Sequence, residues 1–191
     1  MTKILQTGGM GSIRFKFNER KAVAMAALLL KLAGGETPYM RLIKLMYLAE
    51  RASLAQHNRP ICGDRYFAMK YGPVLSTVLN LIKGLITSST WSSHFDRNDN
   101  SARLVSDPGV GALSQAEIKL ITEIDQIYKQ LDRWHLSELS HSLPEWKDPG
   151  TSRHEIAPET ILKALGKTEE DIEQIRDDAR ERDYFDGIFG R

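Results

Sequence analysis

Lys44-Leu-Met-Tyr47-Leu-Ala49, then Arg59-Pro60, then Met69-Lys-Tyr71-Gly72-Pro73-Val74 is the succession on which the fold turns. Lys44 and Tyr47 stand three apart, so a helix carries them on one side. Around them Leu42, Leu45, Met46, Ala49 and Ala52 recur at helical spacing, while Arg41, Lys44 and Arg51 gather on another face. The stretch therefore reads as an amphipathic helix of about five turns. Thr37 is expected to cap it, with Pro38 at its first position, where the missing N–H costs nothing. His57-Asn-Arg-Pro60 ends it, because the residue before a proline disfavours α geometry. Tyr66-Phe67-Ala68-Met69 is short and apolar enough for a buried strand or an irregular turn. Gly72-Pro73 reads as the start of a third helix, with Val74, Leu75, Val78, Leu81, Ile82 and Leu85 as its core stripe.

Toward the amino terminus, Asn18 can cap a helix from Glu19 to Ala33 that is apolar nearly all round and so belongs in the middle of a core. Gly34-Gly35 stops it, since glycine accepts positive φ. Residues 1–12, with Gly8-Gly-Met-Gly-Ser12, read as a flexible extension; no Lys-Ser or Lys-Thr follows to make a phosphate loop. Toward the carboxyl end, His94-Phe95 and Leu104-Val105 flank the turn-forming Asp96-Arg-Asn-Asp-Asn-Ser101, which predicts a small hairpin. Ser114-Gln-Ala-Glu117 is a capping box ahead of the stripe Leu120, Ile121, Ile124, Ile127, Tyr128 and Leu131. A shorter helix from Trp134 to His141 ends by Pro144, and Asp148-Pro-Gly-Thr-Ser152 marks a boundary.

Two more helices are expected, Glu159 to Leu165 and Thr168 to Asp183. Only Ile172, Ile175 and Ala179 give the last one a stripe, so it docks weakly or on a partner. Tyr184, Phe185, Ile188 and Phe189 follow, either packed on their own domain or inserted into a partner or second copy. The expected fold is mainly α: a compact helical single domain over residues 13–150 with a small antiparallel β-hairpin, and a helical C-terminal extension over 151–191.

With 191 residues, 41% hydrophobic and 27% charged, the chain has the makings of one soluble globular domain. The longest apolar run, Ala22 to Leu30, is too short to span a bilayer, and no secretory core is present, so no membrane association and a cytoplasmic location are expected. Cys62 is the single cysteine, which rules out an internal disulfide and a thiolate metal cluster within one chain. A net charge of +1 conceals an asymmetry. Residues 1–90 hold thirteen Lys or Arg against four acids, a balance of +9, and residues 168–186 hold nine acids against three Arg, a balance of −6. The two ends should attract, and the basic half suits nucleic acid or an acidic partner.

Signs of catalysis are weak. His57, His94, His135, His141 and His154 lack the spacing that sets two imidazoles on one metal. Glu138 and His141 share a helical face, but a carboxylate-bridged site needs a second such pair. Cys62 has no neighbouring histidine in sequence and no helix start to lower its pKa. There is no nucleophile elbow and no dinucleotide fingerprint, so neither an enzyme nor a cofactor is expected. What stands out is a basic and aromatic set, Lys44, Tyr47, Arg59, Arg65, Tyr66, Lys70 and Tyr71, of residue types that dominate interfaces and also stack on bases. Tyr47 and Tyr71 could equally fill the core edge and bond inward. Trp134 and Trp146 read as packing residues, with Trp146 also a contact candidate because prolines frame it in a loop.

The order and spacing of Lys44-Leu-x-Tyr47-Leu, Arg59-Pro60 and Tyr71-Gly-Pro-Val74, with the later Leu136-Ser-Glu-Leu139-Ser-His141 and Pro144-Glu-Trp146-Lys147, resembles the Panacea, or SocA-like, antitoxin family over roughly residues 20 to 150. That family also includes phage-associated proteins. Asn58 departs from the small residue or glycine usual before Arg-Pro, and asparagine tolerates the left-handed conformation. The resemblance implies an antitoxin of a type II toxin–antitoxin pair, which neutralises a cognate protein toxin by direct binding. It further implies that some members hand the toxin to an ATP-dependent protease. The expected toxin contacts are Lys44, Tyr47, Arg59, Arg65, Tyr66, Lys70, Tyr71 and Trp146. A nucleic-acid-binding regulator using the basic N-terminal half is the alternative, and homo-oligomers remain open.

Overall fold

The computed structural model describes residues 12–189, so the expected flexible extension over 1–12 lies outside them but for Ser12. Helix α1 (Glu19–Leu32) begins where the Asn18 side chain accepts the Lys21 N–H at 3.1 Å, and it is buried along most of its length, as its all-round apolar pattern requires. It packs against α2 (Tyr39–His57) and α5 (Gln115–Ile127), and these three helices form the centre of the core. The α5 capping box is present, with Ser114 and Glu117 bonded reciprocally. Asn58, in the left-handed conformation at φ 56°, closes α2.

The sheet content exceeds one hairpin. Strands β4 (Phe95–Asn98) and β5 (Ser101–Leu104) make the expected hairpin, and β1 (Glu36–Pro38) adds to β5 to give an antiparallel sheet ordered β1-β5-β4. Thr37 therefore lies opposite Ala102 in a ladder and does not cap α2, which starts at Tyr39 without a side-chain cap. The cause is the Gly34-Gly35 pair, both at positive φ, which turns the chain back against the hairpin before the helix can begin.

A second correction concerns Gly72-Pro73. These residues open strand β3 (Gly72–Leu75), which pairs with β2 (Tyr66–Met69), and α3 (Ser76–Ile82) begins only afterwards. Pro73 is tolerated because β3 is an edge strand of the sheet β3-β2-β6. The α3 start is satisfied from a distance: the Asp64 carboxylate accepts the Thr77 and Val78 N–H groups at 3.0 and 2.9 Å. Leu85 lies past the helix end and is exposed.

Strand β6 (His154–Ile156) completes that sheet, and the short α4 (Ser89–Ser92), α6 (Arg133–His141), α7 (Pro158–Ala164) and α8 (Glu169–Phe189) complete the architecture. The segment expected as an extension shares the main core: Ile156, Ile161, Leu162, Ile172, Ile175 and Ala179 are buried in the same cluster as α1 and α2. The first half of α8 thus docks on its own chain, held also by Arg176 against Glu159 of α7, whereas Tyr184 and Ile188 near its end are exposed. The basic half is paired with the middle of the chain. Lys21, Lys31, Arg41, Arg51 and Arg65 meet Glu117, Asp107, Asp125, Glu145 and Glu155. Among the described residues no helix is long and apolar enough to cross a membrane.

Candidate functional site

The hairpin between β2 and β3 is fastened at three alternate carbonyls, each by a donor from a different element. Trp146 Nε1 donates to Met69 O at 3.1 Å, Ser137 Oγ on α6 to Tyr71 O at 2.9 Å, and Lys44 Nζ on α2 to Pro73 O at 2.8 Å. Met69 ends β2, Tyr71 lies in the turn and Pro73 is in β3, so the three bonds tie both strands and the turn between them. Gly72 sits at φ 93° against α6 and α2; a Cβ there would lie 2.0 Å from Ser140 Oγ and 2.8 Å from Lys44 Nζ. The Ser140 hydroxyl in turn donates to Ser137 O at 2.7 Å. Turn, helix α6 and the middle of α2 are locked together.

Lys44 is 1% exposed, and burial lowers its pKa to about 7. An unfolded lysine titrates near 10.5. Between those values the unfolded chain holds a proton that the folded chain has shed, so raising the pH across the window favours the folded state. Replacing Lys44 by Met should remove this dependence. The stability of the unaltered protein relative to Lys44→Met is expected to rise by roughly 1.4 kcal/mol per pH unit between about pH 7.5 and 9.5, as urea titrations at several pH values will show. Parallel profiles for the two proteins would mean that Lys44 is not desolvated in this way.

Beside the clamp, Glu145 accepts from Tyr47 Oη at 2.9 Å and from Arg51 Nε and Nη2 at 2.7 and 3.3 Å. Burial, and then the neighbouring Glu145 carboxylate, push the Tyr47 hydroxyl well above its usual pKa. The Tyr47 and Tyr66 rings meet edge to face at 5.9 Å. Tyr66 Oη donates to Glu50 Oε2 at 3.1 Å, and the Cys62 N–H donates to Glu50 Oε1 at 2.6 Å. Burial raises the pKa of Glu50, of the Tyr66 hydroxyl and of the Cys62 thiol, which keeps that thiol protonated and unreactive. Lys44, Tyr47, Glu50 and Arg51 thus form one polar stripe of α2, and it faces inward.

Of the expected contacts, Lys44, Tyr47 and Tyr66 are each 1% exposed and present nothing to a partner, which corrects their placement on a surface. Their polar ends find acceptors inside, on Pro73 O, Glu145 and Glu50, so none is buried without a hydrogen bond. Arg59 is exposed at the end of α2. Arg65 is exposed, forked onto Glu155 at 2.9 and 2.8 Å and placed over the Phe67 ring. Trp146 is half-buried and stacked on His141 with ring centroids 4.1 Å apart, which gives that histidine a structural place. Lys70 and Tyr71 are exposed on the clamped turn, with Lys70 Nζ 5.6 Å from the Tyr71 ring centroid. Trp134, expected to pack, is exposed. It meets Tyr71 edge to face at 5.9 Å and carries the Arg133 guanidinium over its own ring at 5.1 Å. Its position was readable: Asp132 caps α6 and Leu136 faces the core, and residues two positions apart on a helix are turned by about 200°, which points Trp134 outward.

A family model described as Antitoxin SocA-like, Panacea domain, matches residues 42–147, more than half of the chain. The chain belongs to the Panacea-domain family. The matched Panacea region begins in α2 and ends just past Trp146, so it contains the clamped hairpin and all three of its donors, whereas β6, α7 and α8 lie beyond it. No curated protein and no solved structure matches the chain.

Proposed function

We propose that this Panacea-domain protein is the antitoxin of a type II pair and neutralises a separately encoded protein toxin by binding it directly. The observation that carries this reading is the coincidence of the antitoxin-family region with a polar network that holds still one hairpin whose turn, Lys70-Tyr71, is exposed. A fixed surface binds with little ordering cost, and covering a toxin needs affinity alone. The chain itself breaks no bonds in this account. The buried titratable groups of α2 are engaged with one another or with backbone: Lys44 on Pro73 O, Tyr47 on Glu145, Glu50 on Tyr66 and the Cys62 N–H.

The pairing of five basic residues from the first half with carboxylates weighs against a nucleic-acid groove there. Delivery of the bound toxin to an ATP-dependent protease would use the same contact and differ only in the fate of the toxin. Expressed alone, the product of an adjacent reading frame is expected to arrest growth. Expressed together with this chain, it should permit growth and co-purify with it. A pulse-chase of the toxin then separates occlusion, in which its half-life is unchanged, from delivery, in which it shortens. If no adjacent product is toxic or co-purifies, the reading fails.

A further inference from the structure

Outside the buried network, Lys70, Tyr71, Arg133 and Trp134 form a continuous aromatic and cationic patch where the β2–β3 turn meets the start of α6. Tyr71 is 48% and Trp134 52% exposed, with their rings in edge-to-face contact. The backbone beneath both rings is tied: the Tyr71 carbonyl accepts from Ser137 Oγ, and the Trp134 backbone N–H donates to the Asp132 carboxylate at 2.8 Å. Tyr, Trp and Arg with little freedom to lose are the residues that anchor interfaces. Lys70 and Arg133 lie over ring faces, and neither forms an ion pair with any described residue. The nearest acid in sequence, Asp132, is occupied by the Trp134 and His135 N–H groups and by the His135 ring.

We infer that this patch is the anchor for a carboxylate-bearing segment of the protein toxin, an inference that rests on the antitoxin reading. A carboxylate entering between Lys70 and Arg133 gains charge-assisted bonds, and an adjoining apolar side chain covers the Tyr71 and Trp134 edges. The rings do not suit successive nucleic-acid bases. At an interplanar angle of 72° they offer no pair of parallel stacking platforms.

The test uses the full chain and the toxic product of the adjacent reading frame, with affinity and rates measured by interferometry at two salt concentrations. Tyr71→Ala combined with Trp134→Ala is expected to weaken Kd about 100-fold. Lys70→Glu combined with Arg133→Glu should slow low-salt association about tenfold and flatten its salt dependence. Both variants should keep the urea midpoint of the parent, and the charge pair serves alone if the aromatic pair does not fold. A Lys substitution of the contacting acid in the toxin should restore binding to the charge-reversed chain. A complex that forms equally well with both variants overturns the inference and leaves the antitoxin reading intact. Absence of any complex or growth rescue removes that reading, and the inference with it. Loss in these variants of retention on a DNA duplex, or of self-association, with toxin binding unchanged, would assign the patch to nucleic acid or to a second copy and would equally overturn it.

Discussion

Glu145→Ala is expected to lower the stability of the protein by about 3–5 kcal/mol, the usual consequence of removing one partner from a buried ion pair. Glu145 receives the Tyr47 hydroxyl and both reachable nitrogens of Arg51, and its own side chain has no exposure. Truncation leaves the Tyr47 hydroxyl without an acceptor in the interior and Arg51 with only partial access to water. Tyr47→Phe, which removes one neutral donor and leaves the ion pair, should cost only about 1 kcal/mol. Urea unfolding of the two variants checks the order. The single replacement Arg51→Ala and the double replacement with Glu145→Ala then give a coupling energy, expected to be clearly favourable. A coupling near zero would mean that the carboxylate is held by Tyr47 alone.

Gly72→Ala is expected to be nearly as damaging, at about 2–4 kcal/mol, from two separate sources. A non-glycine residue at φ 93° is strained wherever it stands, and the added Cβ meets Ser140 Oγ at 2.0 Å and Lys44 Nζ at 2.8 Å. The sources can be separated. Ser140→Ala in the Gly72→Ala background removes the hydroxyl that collides, although the Ser140 Cβ remains at 3.1 Å, and should recover part of the loss. The part not recovered is the backbone strain together with the remaining contacts on Lys44 Nζ and the Ser140 Cβ. Thermal unfolding of the four proteins in the cycle reads both, and a Gly72→Ala protein as stable as its parent would deny the close approach of the turn to α6.

Much of this arrangement was written in local pattern. The Asn18 cap, the all-round apolar α1, the stripe of α2 and the Ser114–Glu117 box each depend on residues within a few positions of one another, and each element is where its pattern puts it. The turn-rich Asp96–Ser101 segment likewise gives its hairpin. Strands β1 and β6 are three residues long, too short to show a period of two, and their existence depends on partners far along the chain. Thr37 belongs to such a strand, whereas Gly72-Pro73 carry a helix-start signal inside a local hairpin. Cap chemistry and strand pairing compete for the same residues, and the pairing won.

The site was legible as a set of residues and illegible as a geometry. Lys44 and Tyr47 carry polar ends that ordinarily mean surface, and what makes them interior is an acceptor 29 residues away for one and 98 for the other. Trp134 carries the opposite signal, a large ring that ordinarily means core, and only its phase relative to Leu136 places it outside. The family resemblance rests on inner residues such as Lys44 and Tyr47 and also on the exposed Arg59 and Tyr71, while the surface patch adds Lys70 and two residues outside the expected set, Arg133 and Trp134.

Hydrogen exchange of the full chain, free and saturated with the adjacent toxic gene product, tests most directly whether the inner residues are a frame and the turn is the contact. Slowed exchange is expected at amides of residues 69–72 and 133–136, with the amides of α2 around Lys44 to Arg51 already slow and unchanged by the toxin. Changed protection along that stretch of α2, with the turn and the start of α6 unaffected, would contradict the account.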